Sequence, residues 1–450
     1  MSSSMSSKWR WGRRYSTWGW RWGRRSRRSN LRLSSNNNNL YLPEELLEEI
    51  LSWLPVKSLF RFRCVQKSWS TLFRNPIFIA KHLLHHQTKT ENSSILVESY
   101  GLLEHVFSLH PYLDDDAPRI VDFSKDLGMT VLRRPIYINL FGCINGIICI
   151  GSPLAPYLTF GGGRSDVFAL WNAAIREHKI IRCPPLPQRP FLPPYNVTTL
   201  FAFGYDQYSN DYKAVRIVTY NKNSPPTQNS LFTDVYSLNA DSWTQVIDTT
   251  IHRSNVRLLS YRAMYFNGVN HWLGFFDNGH INELGQNCDC EIILSFDMSR
   301  EVFRIMRLPD EVFRKLRYPV DSVSSTQRNK VFSVFNDCLA FVVYEEDTMT
   351  EKYFDIWVMR QYGVEDSWTK QLVVGPLLGI HKPLQFSQNG MLLLVGDDGT
   401  IVLYNIGSKE IRNLQIPEFL KSFIRKEATV YVESLVSLKG ARAPNYLYQK

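Results

Sequence analysis

The chain has 450 residues, of which 44% are hydrophobic and 13% aromatic, a composition typical of a globular protein. No apolar run approaches the roughly 18 residues that a membrane-spanning helix requires, which excludes a helical membrane protein. The formal net charge is +10, but ten of the 52 basic residues lie in 1–39, where no acidic residue occurs. The other 42 basic residues are equal in number to the 42 acidic residues, so the rest of the chain is formally neutral. The basic character therefore belongs to an N-terminal tail, which argues against a nucleic-acid-binding core.

The tail, residues 1–39, interleaves its arginines with tryptophans and ends in serine and asparagine. Arginine beside aromatic rings can hold single-stranded nucleic acid by charge and stacking. An N-terminus rich in arginine and serine also resembles an organellar transit peptide. The simpler interpretation is a disordered extension without a role, or a translation start assigned too far upstream. The sequence leaves these alternatives open.

Residues 42–80 contain two apolar stripes at helical spacing. The first runs from Leu46 to just before Pro55 between glutamates, and it ends there because a residue before proline is pushed out of the helical region. The second begins near Leu59, lies among basic side chains, and is expected to close at Pro76. The pattern predicts an acidic helix followed by a basic helix. A unit this small cannot bury both apolar faces, so it needs a partner or the rest of the chain to complete its core.

The same stretch, LPEELLEEILSWLPVKSLFRFRCVQKSWSTLFRNPIF, resembles an F-box over nearly its whole length. The resemblance implies an F-box at 40–82 that docks on a Skp-family adaptor and, through it, on the cullin and RING subunit of a ubiquitin ligase. It also implies that Trp69 and Phe78 pack the F-box onto the domain C-terminal to it. The residues it places on the adaptor-facing or interlocking surface are Leu42, Pro43, Leu46, Ile50, Leu51, Leu54, Pro55, Val56, Leu59 and Val65.

From about residue 95 the helical period gives way to short β-rich runs of two alternating kinds. One is a hairpin whose turn is a polar pair that begins with asparagine, such as Asn145-Gly146. These residues predict a tight turn because they tolerate the positive φ that such turns require. The other is a hairpin whose first strand centres on an aromatic residue. The predicted turns lie at Asn145, Asn210, Asn267, Asn336 and Asn389, and the aromatic centres are Trp171, Tyr236, Phe296, Trp357 and Tyr404, with a degenerate earlier copy at Phe107.

Two hairpins together make a four-stranded sheet, and the aromatic centres from Trp171 onward recur 65, 60, 61 and 47 residues apart. Regular four-stranded units at such spacing are typical of β-propeller blades. The pattern predicts an all-β domain, a six-bladed propeller, in which a strand near 430–438 closes the ring on the first blade. A β-sandwich is the alternative, since it shares the short alternating strands. Irregular loops at 151–165, 184–199 and 221–232 are the predicted sites of partner contact.

These segments also resemble the kelch-like F-box-associated domain of plant F-box proteins, over 95–440. GCINGIICI, ALWNAAIREHKIIRCPP, NGVNHWL and ILSFDMSREVFRIMRLP occur in the family's order, with one departure at Asn172-Ala173-Ala174, where the family usually has Asn-Pro. GPLLGIHKPLQF and ATVYVESLVSLKG most resemble the S-locus F-box and S-locus F-box-like group, whose pollen members recognise S-RNases. The resemblance implies a substrate receptor for S-RNase in self-incompatibility, or for a defence, development or stress-response protein.

No catalytic motif of the nucleophile-elbow, zinc-protease or phosphate-loop type occurs, so we expect no enzyme activity and no cofactor. Seven scattered cysteines without a secretory segment predict a reducing cytosol or nucleus. The pair Cys288 and Cys290 is a weak metal signal. A propeller enzyme using His271, His280, Asp297 and Asp355 is the alternative, although His271 beside Trp272 is more typical of a packed histidine. The tryptophans predicted to lie in the core are Trp171, Trp243, Trp272, Trp357 and Trp368.

Overall fold

The computed structural model describes fifteen stretches of the chain, and every structural statement below concerns these alone. They are 42–88, 93–100, 105–111, 119–121, 139–152, 167–185, 197–220, 231–248, 256–258, 262–276, 290–309, 328–345, 351–387, 390–421 and 425–439. The tail 1–39, His280, Cys288 and Asn389, singled out from the sequence, lie outside them. The described helices and strands fall in one compact unit, Glu45–Lys450, except the first residue of helix α1.

Four helices occupy the region of the predicted helical pair: α1 Glu44–Ser52, α2 Val56–Phe62, α3 Lys67–Leu72 and α4 Pro76–Thr88. The predicted basic helix is divided into α2 and α3, because Gln66 has an extended conformation with φ of −148°. Pro76 opens α4 instead of closing the unit. Proline suits a first helical turn, and the Asn75 side chain accepts a 2.9 Å hydrogen bond from the Ile77 amide, which caps the helix. None of the described helices could cross a membrane.

The described strands form six antiparallel sheets, which are the six blades of a propeller. Blade 1 contains β1 Ser93–Tyr100, β2 His105–Pro111 and β3 Arg119–Val121. Blade 2 contains β4 Asn139–Ile144, β5 Ile147–Ser152, β6 Val167–Asn172 and β7 Glu177–Arg182. Blade 3 contains β8 Val197–Asp206, β9 Asp211–Tyr220, β10 Leu231–Ser237 and β11 Ser242–Val246. Blade 4 contains β12 Val256–Leu258, β13 Met264–Phe266, β14 Val269–Phe276, β15 Cys290–Asp297 and β16 Val302–Arg307; blade 5 contains β17 Arg328–Phe335, β18 Cys338–Glu345, β19 Lys352–Met359 and β20 Trp368–Leu377; blade 6 contains β21 Ile380–Phe386, β22 Leu392–Gly396, β23 Ile401–Tyr404 and β24 Ile411–Asn413, followed by α5 Glu418–Lys421.

The last strand, β25 Arg425–Val432, closes the ring by pairing with β1, from Ser93 opposite Val432 to Tyr100 opposite Arg425. Neighbouring blades contact each other through their inner strands in the cyclic order β25, β4, β8, β13, β17, β21 and back to β25. The six-bladed propeller is therefore confirmed and the β-sandwich is wrong. The closing strand lies earlier than 430–438, and residues 433–439 leave the sheet as a C-terminal segment.

Successive antiparallel strands reverse direction, so their connections alternate between two faces of the ring. The turn face carries the short connections, such as β4–β5 and β6–β7. At the predicted turns, Asn145, Asn210, Asn267 and Asn336 all have φ between 48° and 54°. The loop face lies opposite and receives the connections β5–β6, β7–β8 and β9–β10. The three predicted contact loops fall in these connections, and their central parts, 153–166, 186–196 and 221–230, lie outside the described residues.

The predicted aromatic core is confirmed. Trp171 and Trp272 are fully buried, Trp357 and Trp368 nearly so, and Trp243 is half-buried at the boundary of blades 2 and 3. His271 donates from Nδ1 to the Met264 carbonyl oxygen at 3.1 Å, and its Nε2 lies 2.8 Å from the Tyr362 hydroxyl, so this residue joins blades 4 and 5.

The other two described candidates for a propeller enzyme also have structural contacts. Asp297 accepts hydrogen bonds of 2.9 Å from the amides of Ser299 and Arg300 in its own turn. Asp355 pairs with Lys370 of the same blade at 2.8 Å. Each aspartate therefore has a structural contact within its own blade.

Candidate functional site

The four helices pack on the turn face of the propeller. One continuous core contains Leu51, Val56, Leu59 and Phe78 of the helices together with Ile144, Ile147 and Ile175 of blade 2 and Leu435, Val436 and Leu438 of the C-terminal segment. Trp69 packs at the edge of this core and Phe78 within it, which confirms their predicted packing role. At the end of α4, the Gln87 amide donates a 3.0 Å hydrogen bond to the side-chain oxygen of Asn145 in the β4–β5 turn. The helices and propeller thus complete each other's core.

The ten residues predicted for the adaptor surface divide into an exposed and a buried set. Leu46 is 53% exposed, Ile50 50% and Val65 68%, whereas Leu51, Val56 and Leu59 are at most 2% exposed. Only the exposed residues can contact a partner directly, and the buried ones can shape the surface from below. The exposed set is Leu42, Pro43, Leu46, Ile50, Pro55 and Val65, with Leu54 half-buried.

Sequence reasoning missed Trp53, which continues the exposed apolar side of α1. Its indole stacks on the His85 ring of α4, with centroids 3.9 Å apart, and its Nε1 donates a 2.9 Å hydrogen bond to Glu49. Lys81 forms a 2.8 Å ion pair with Glu49, and hydrogen bonds from Lys81 and then Trp53 lower the pKa of this glutamate. These contacts fix α1 against α4. The sequence signal was the spacing of Trp53, three residues after Ile50.

Ile77 and Leu84 on α4 are also exposed apolar side chains, at 58% and 45%. They were missed because the unit was expected to end at Pro76. Inside the same helix His82 is fully buried, and its Nε2 lies 2.9 Å from the Leu54 carbonyl oxygen. Burial lowers the pKa of His82 to about 4, so the ring is neutral at pH 7 and Nε2 donates to the carbonyl.

The C-terminal segment, residues 433–439, is held against blade 2 by the side chains of Asn172 and Glu177, for which the sequence predicted no such contact. The Asn172 amide nitrogen lies 2.8 Å from the Val436 carbonyl oxygen and 3.1 Å from that of Ser434. The Glu177 carboxylate accepts hydrogen bonds from the Ser437 hydroxyl at 2.7 Å and the Leu438 amide at 2.9 Å. This segment in turn supplies apolar side chains to the core beneath α1 to α4. Asn172 and Glu177 therefore stabilise the segment on which the helices of the candidate docking surface pack.

Among the described residues, no three histidine, cysteine, aspartate or glutamate side chains are grouped so as to hold a metal ion. The free thiols Cys143 and Cys149 illustrate the inert character of the interior cysteines. Burial raises the pKa of Cys143 to about 12, and it also raises the pKa of Cys149 well above its usual range.

Two family models match the chain. One, the F-box domain, matches residues 40–81, and the other, the F-box associated beta propeller domain, matches residues 162–438. The F-box protein CPR1 of Arabidopsis thaliana is 25% identical over 424 residues, which cover 91% of this chain and 92% of that protein. An F-box/kelch-repeat protein of the same plant is 25% identical over 404 residues, 88% of this chain and 95% of that protein.

A solved structure with a similar fold is the fungal lectin of Aleuria aurantia, described as a six-bladed β-propeller. It has a TM-score of 0.32 at 11% identity and covers 73% of this chain and 96% of the lectin. That likeness is too weak to indicate a ligand. The number of blades follows from the six sheets of this chain.

Proposed function

Because this chain belongs to the plant F-box proteins with an F-box-associated β-propeller, we propose that it is the substrate-recognition subunit of an SCF-type ubiquitin ligase. Its F-box, at 40–82, would dock the Skp-family adaptor, and the adaptor would join it to the cullin and the RING subunit. The propeller domain, at 95–440, would hold a protein substrate for ubiquitination by other subunits. The chain itself would be non-catalytic, acting by raising the effective concentration of substrate lysines near the conjugating enzyme.

The observation that carries this proposal is the exposed apolar side of α1 on a rigid base. Leu46 and Ile50 project from a helix that is fixed to α4 through Glu49, Trp53 and Lys81. Exposed apolar side chains on a fixed helix favour a protein partner, because their burial on binding releases water at little cost in chain ordering. The helices lie on the turn face, so the loop face opposite is left for the substrate.

A pull-down with a plant Skp adaptor tests the docking surface. The full-length double variant Leu46→Asp with Ile50→Asp is expected to lose adaptor capture while keeping its melting temperature, since both side chains are exposed. Ile411→Asp is the matched control, because Ile411 is an exposed apolar residue of blade 6, at 53%. The F-box assignment would be rejected if the double variant captured the adaptor as well as the unmodified chain does.

For the substrate we propose S-RNase, recognised in pollen. Two segments support this: GPLLGIHKPLQF, which runs into β21, and ATVYVESLVSLKG, which contains the end of β25 and the C-terminal segment, both resembling the S-locus group. The full-length chain is expected to capture S-RNases and not an unrelated ribonuclease of similar charge. A transcript found throughout the plant, without S-RNase capture, would instead favour a receptor for a defence, development or stress-response protein.

We place the protein in the cytoplasm, the nucleus or both. Cys64, Cys143, Cys149 and Cys338 are free thiols in the described part of the chain, which suits a reducing compartment. Imaging of a fluorescent fusion in plant cells tests this, and accumulation in the secretory pathway would contradict it.

We infer further that the basic tail, 1–39, takes no part in docking. Removal of residues 1–38 is expected to leave adaptor and substrate capture unchanged. Loss of either would give the tail a function.

A further inference from the structure

A cleft of about 420 Å³ opens where the helices, blade 2 and the C-terminal segment meet. Arg63 and Arg74 line it from the helical side, Glu177 from β7, and Leu435 and Lys439 from the C-terminal segment. These residues come from three parts of the chain that are far apart in sequence. A ligand in the cleft would therefore touch both the docking helices and the propeller.

The charges in this cleft are unbalanced. Three cations, Arg63, Arg74 and Lys439, face one carboxylate, that of Glu177. The carboxylate is already engaged, since its Oε2 accepts hydrogen bonds from Ser437 and from the Leu438 amide. A cleft with spare positive charge and an occupied carboxylate attracts anions.

Arg63 is the most constrained of the three cations. Its guanidinium lies over the Phe60 ring, 4.0 Å from the centroid, and its Nε is buried without a hydrogen-bond partner in the described part of the chain. Burial, and then the charge of Arg74, lower the pKa of Arg63, and the charge of Glu177 opposes them. A buried donor that lacks an acceptor costs free energy, and the side chain that bears this cost also lines the cleft with its positive charge.

We propose that this cleft is a binding site for a small organic phosphate with several negative charges, held by Arg63, Arg74 and Lys439. A guanidinium presents its N–H groups in a planar fork that matches phosphate oxygens, and the lysine supplies a third charge at the rim. The apolar wall formed by Phe73, Ile79 and Leu435 would accept the carbon part of such a molecule. The bound molecule would stabilise the joint between the F-box and the propeller, because it binds only when both are in place.

Inorganic tripolyphosphate, titrated calorimetrically into the full-length chain at constant ionic strength, serves as the probe. We expect saturable binding of one tripolyphosphate per chain and a higher melting temperature, with chloride at equal ionic strength producing neither.

The variants Arg74→Gln and Lys439→Gln are expected to fold, because both side chains are exposed. Each is expected to weaken binding by about tenfold, the effect of removing one charge-assisted hydrogen bond. Arg61→Gln is the matched control, since Arg61 is an exposed cation of the same helical region that does not line the cleft.

Three results would overturn the proposal. One is the absence of saturable binding in the unmodified chain. Another is equal binding by Arg74→Gln, Lys439→Gln and Arg61→Gln, which would show a general charge effect. The third is a loss of adaptor capture in Arg74→Gln and Lys439→Gln without any tripolyphosphate binding by the unmodified chain, which would assign the cations to an acidic protein partner. The effect of Leu46→Asp with Ile50→Asp on adaptor capture does not depend on the cleft. The F-box proposal can therefore still be tested if the cleft binds no anion.

Discussion

The side-chain amide of Asn172, at the end of β6, lies 2.8 Å from the carbonyl oxygen of Val436, which is 264 residues further along the chain. The same nitrogen also lies within hydrogen-bonding distance of the carbonyl and hydroxyl oxygens of Ser434. Its Oδ1 accepts from the Ala174 amide at 3.1 Å, which turns the chain toward β7. Asn172 therefore fixes the C-terminal segment and the β6–β7 turn with a single side chain.

Replacement of Asn172 by alanine is expected to lower the free energy of unfolding by about 1–3 kcal/mol, because buried carbonyl oxygens of the C-terminal segment lose their donor. Urea denaturation of the full-length chain measures this loss. Asn413→Ala, at an exposed position of β24, is the matched control and should change stability by less than about 0.5 kcal/mol. Equal effects of the two replacements would contradict the anchoring role of Asn172.

Gly146 and Gly268 form a natural pair for testing close packing at a turn. Both follow an asparagine and have nearly the same φ, +76° and +77°. A Cβ on Gly146 would lie 2.7 Å from the Val432 carbonyl oxygen and 2.8 Å from the Ser434 Cβ, whereas one on Gly268 would meet nothing within 4 Å. Both alanine variants carry the cost of a positive φ, about 1–2 kcal/mol, and only Gly146→Ala adds a clash.

We expect Gly146→Ala to destabilise the protein more than Gly268→Ala does. The difference should be about 1–3 kcal/mol, which is the usual cost of overpacking. Thermal unfolding of both variants gives the comparison. A smaller loss in Gly146→Ala than in Gly268→Ala would mean that the C-terminal segment does not pack against the β4–β5 turn.

The blades could be predicted from the sequence because their determinants are local. The positive φ of Asn145 and Asn267 is a property of the residue type. The aromatic centres Trp171, in β6, and Phe296, in β15, each lie in the third strand of the hydrogen-bonded order of their sheet, as their spacing predicts. The first blade also follows the repeat, since Phe107 lies in β2 and pairs across to Val121 of β3.

The joint between helices and propeller could not be predicted, because it depends on contacts between distant parts of the chain. Nothing near Glu177 indicates that it binds Ser437, and nothing near Asn172 indicates that it binds Val436. The extent of the helical region was also missed. Pro76 can end one helix or begin another, and only the packing of α4 against α1 decides between the two.

The buried and exposed leucines of the F-box should respond differently to truncation. Leu59 is 0% exposed and lies in the core shared with blade 2, so Leu59→Ala is expected to lower the free energy of unfolding by about 2–5 kcal/mol. Leu46→Ala should change stability by less than about 0.5 kcal/mol and weaken adaptor binding instead. Denaturation and adaptor titration on the same two variants separate these effects. Loss of stability in Leu46→Ala would place that side chain inside the fold.

Acid should destabilise the protein through three buried histidines. Burial lowers the pKa values of His82, His110 and His271 from 6.5 to about 4. The unfolded chain therefore binds these protons at a higher pH than the folded chain does. Each neutral ring makes its full contribution to the free energy of unfolding above about pH 6.5, and this contribution is lost as the pH falls toward 4. Its size is about 1.4 kcal/mol for each unit by which the pKa in the folded chain lies below the pKa in the unfolded chain.

Denaturation midpoints measured between neutral pH and about pH 5 give the slope of stability against pH. We expect His271→Gln to reduce that slope, because glutamine can bridge the Met264 carbonyl and the Tyr362 hydroxyl without titrating. His178→Gln is the matched control, since it makes the same replacement at an exposed position of β7. Carboxylates that titrate in the same window contribute equally to the unmodified chain and to both variants, so they cancel in the comparison. An unchanged slope in His271→Gln would mean that His271 keeps an ordinary pKa, in spite of its burial between blades 4 and 5.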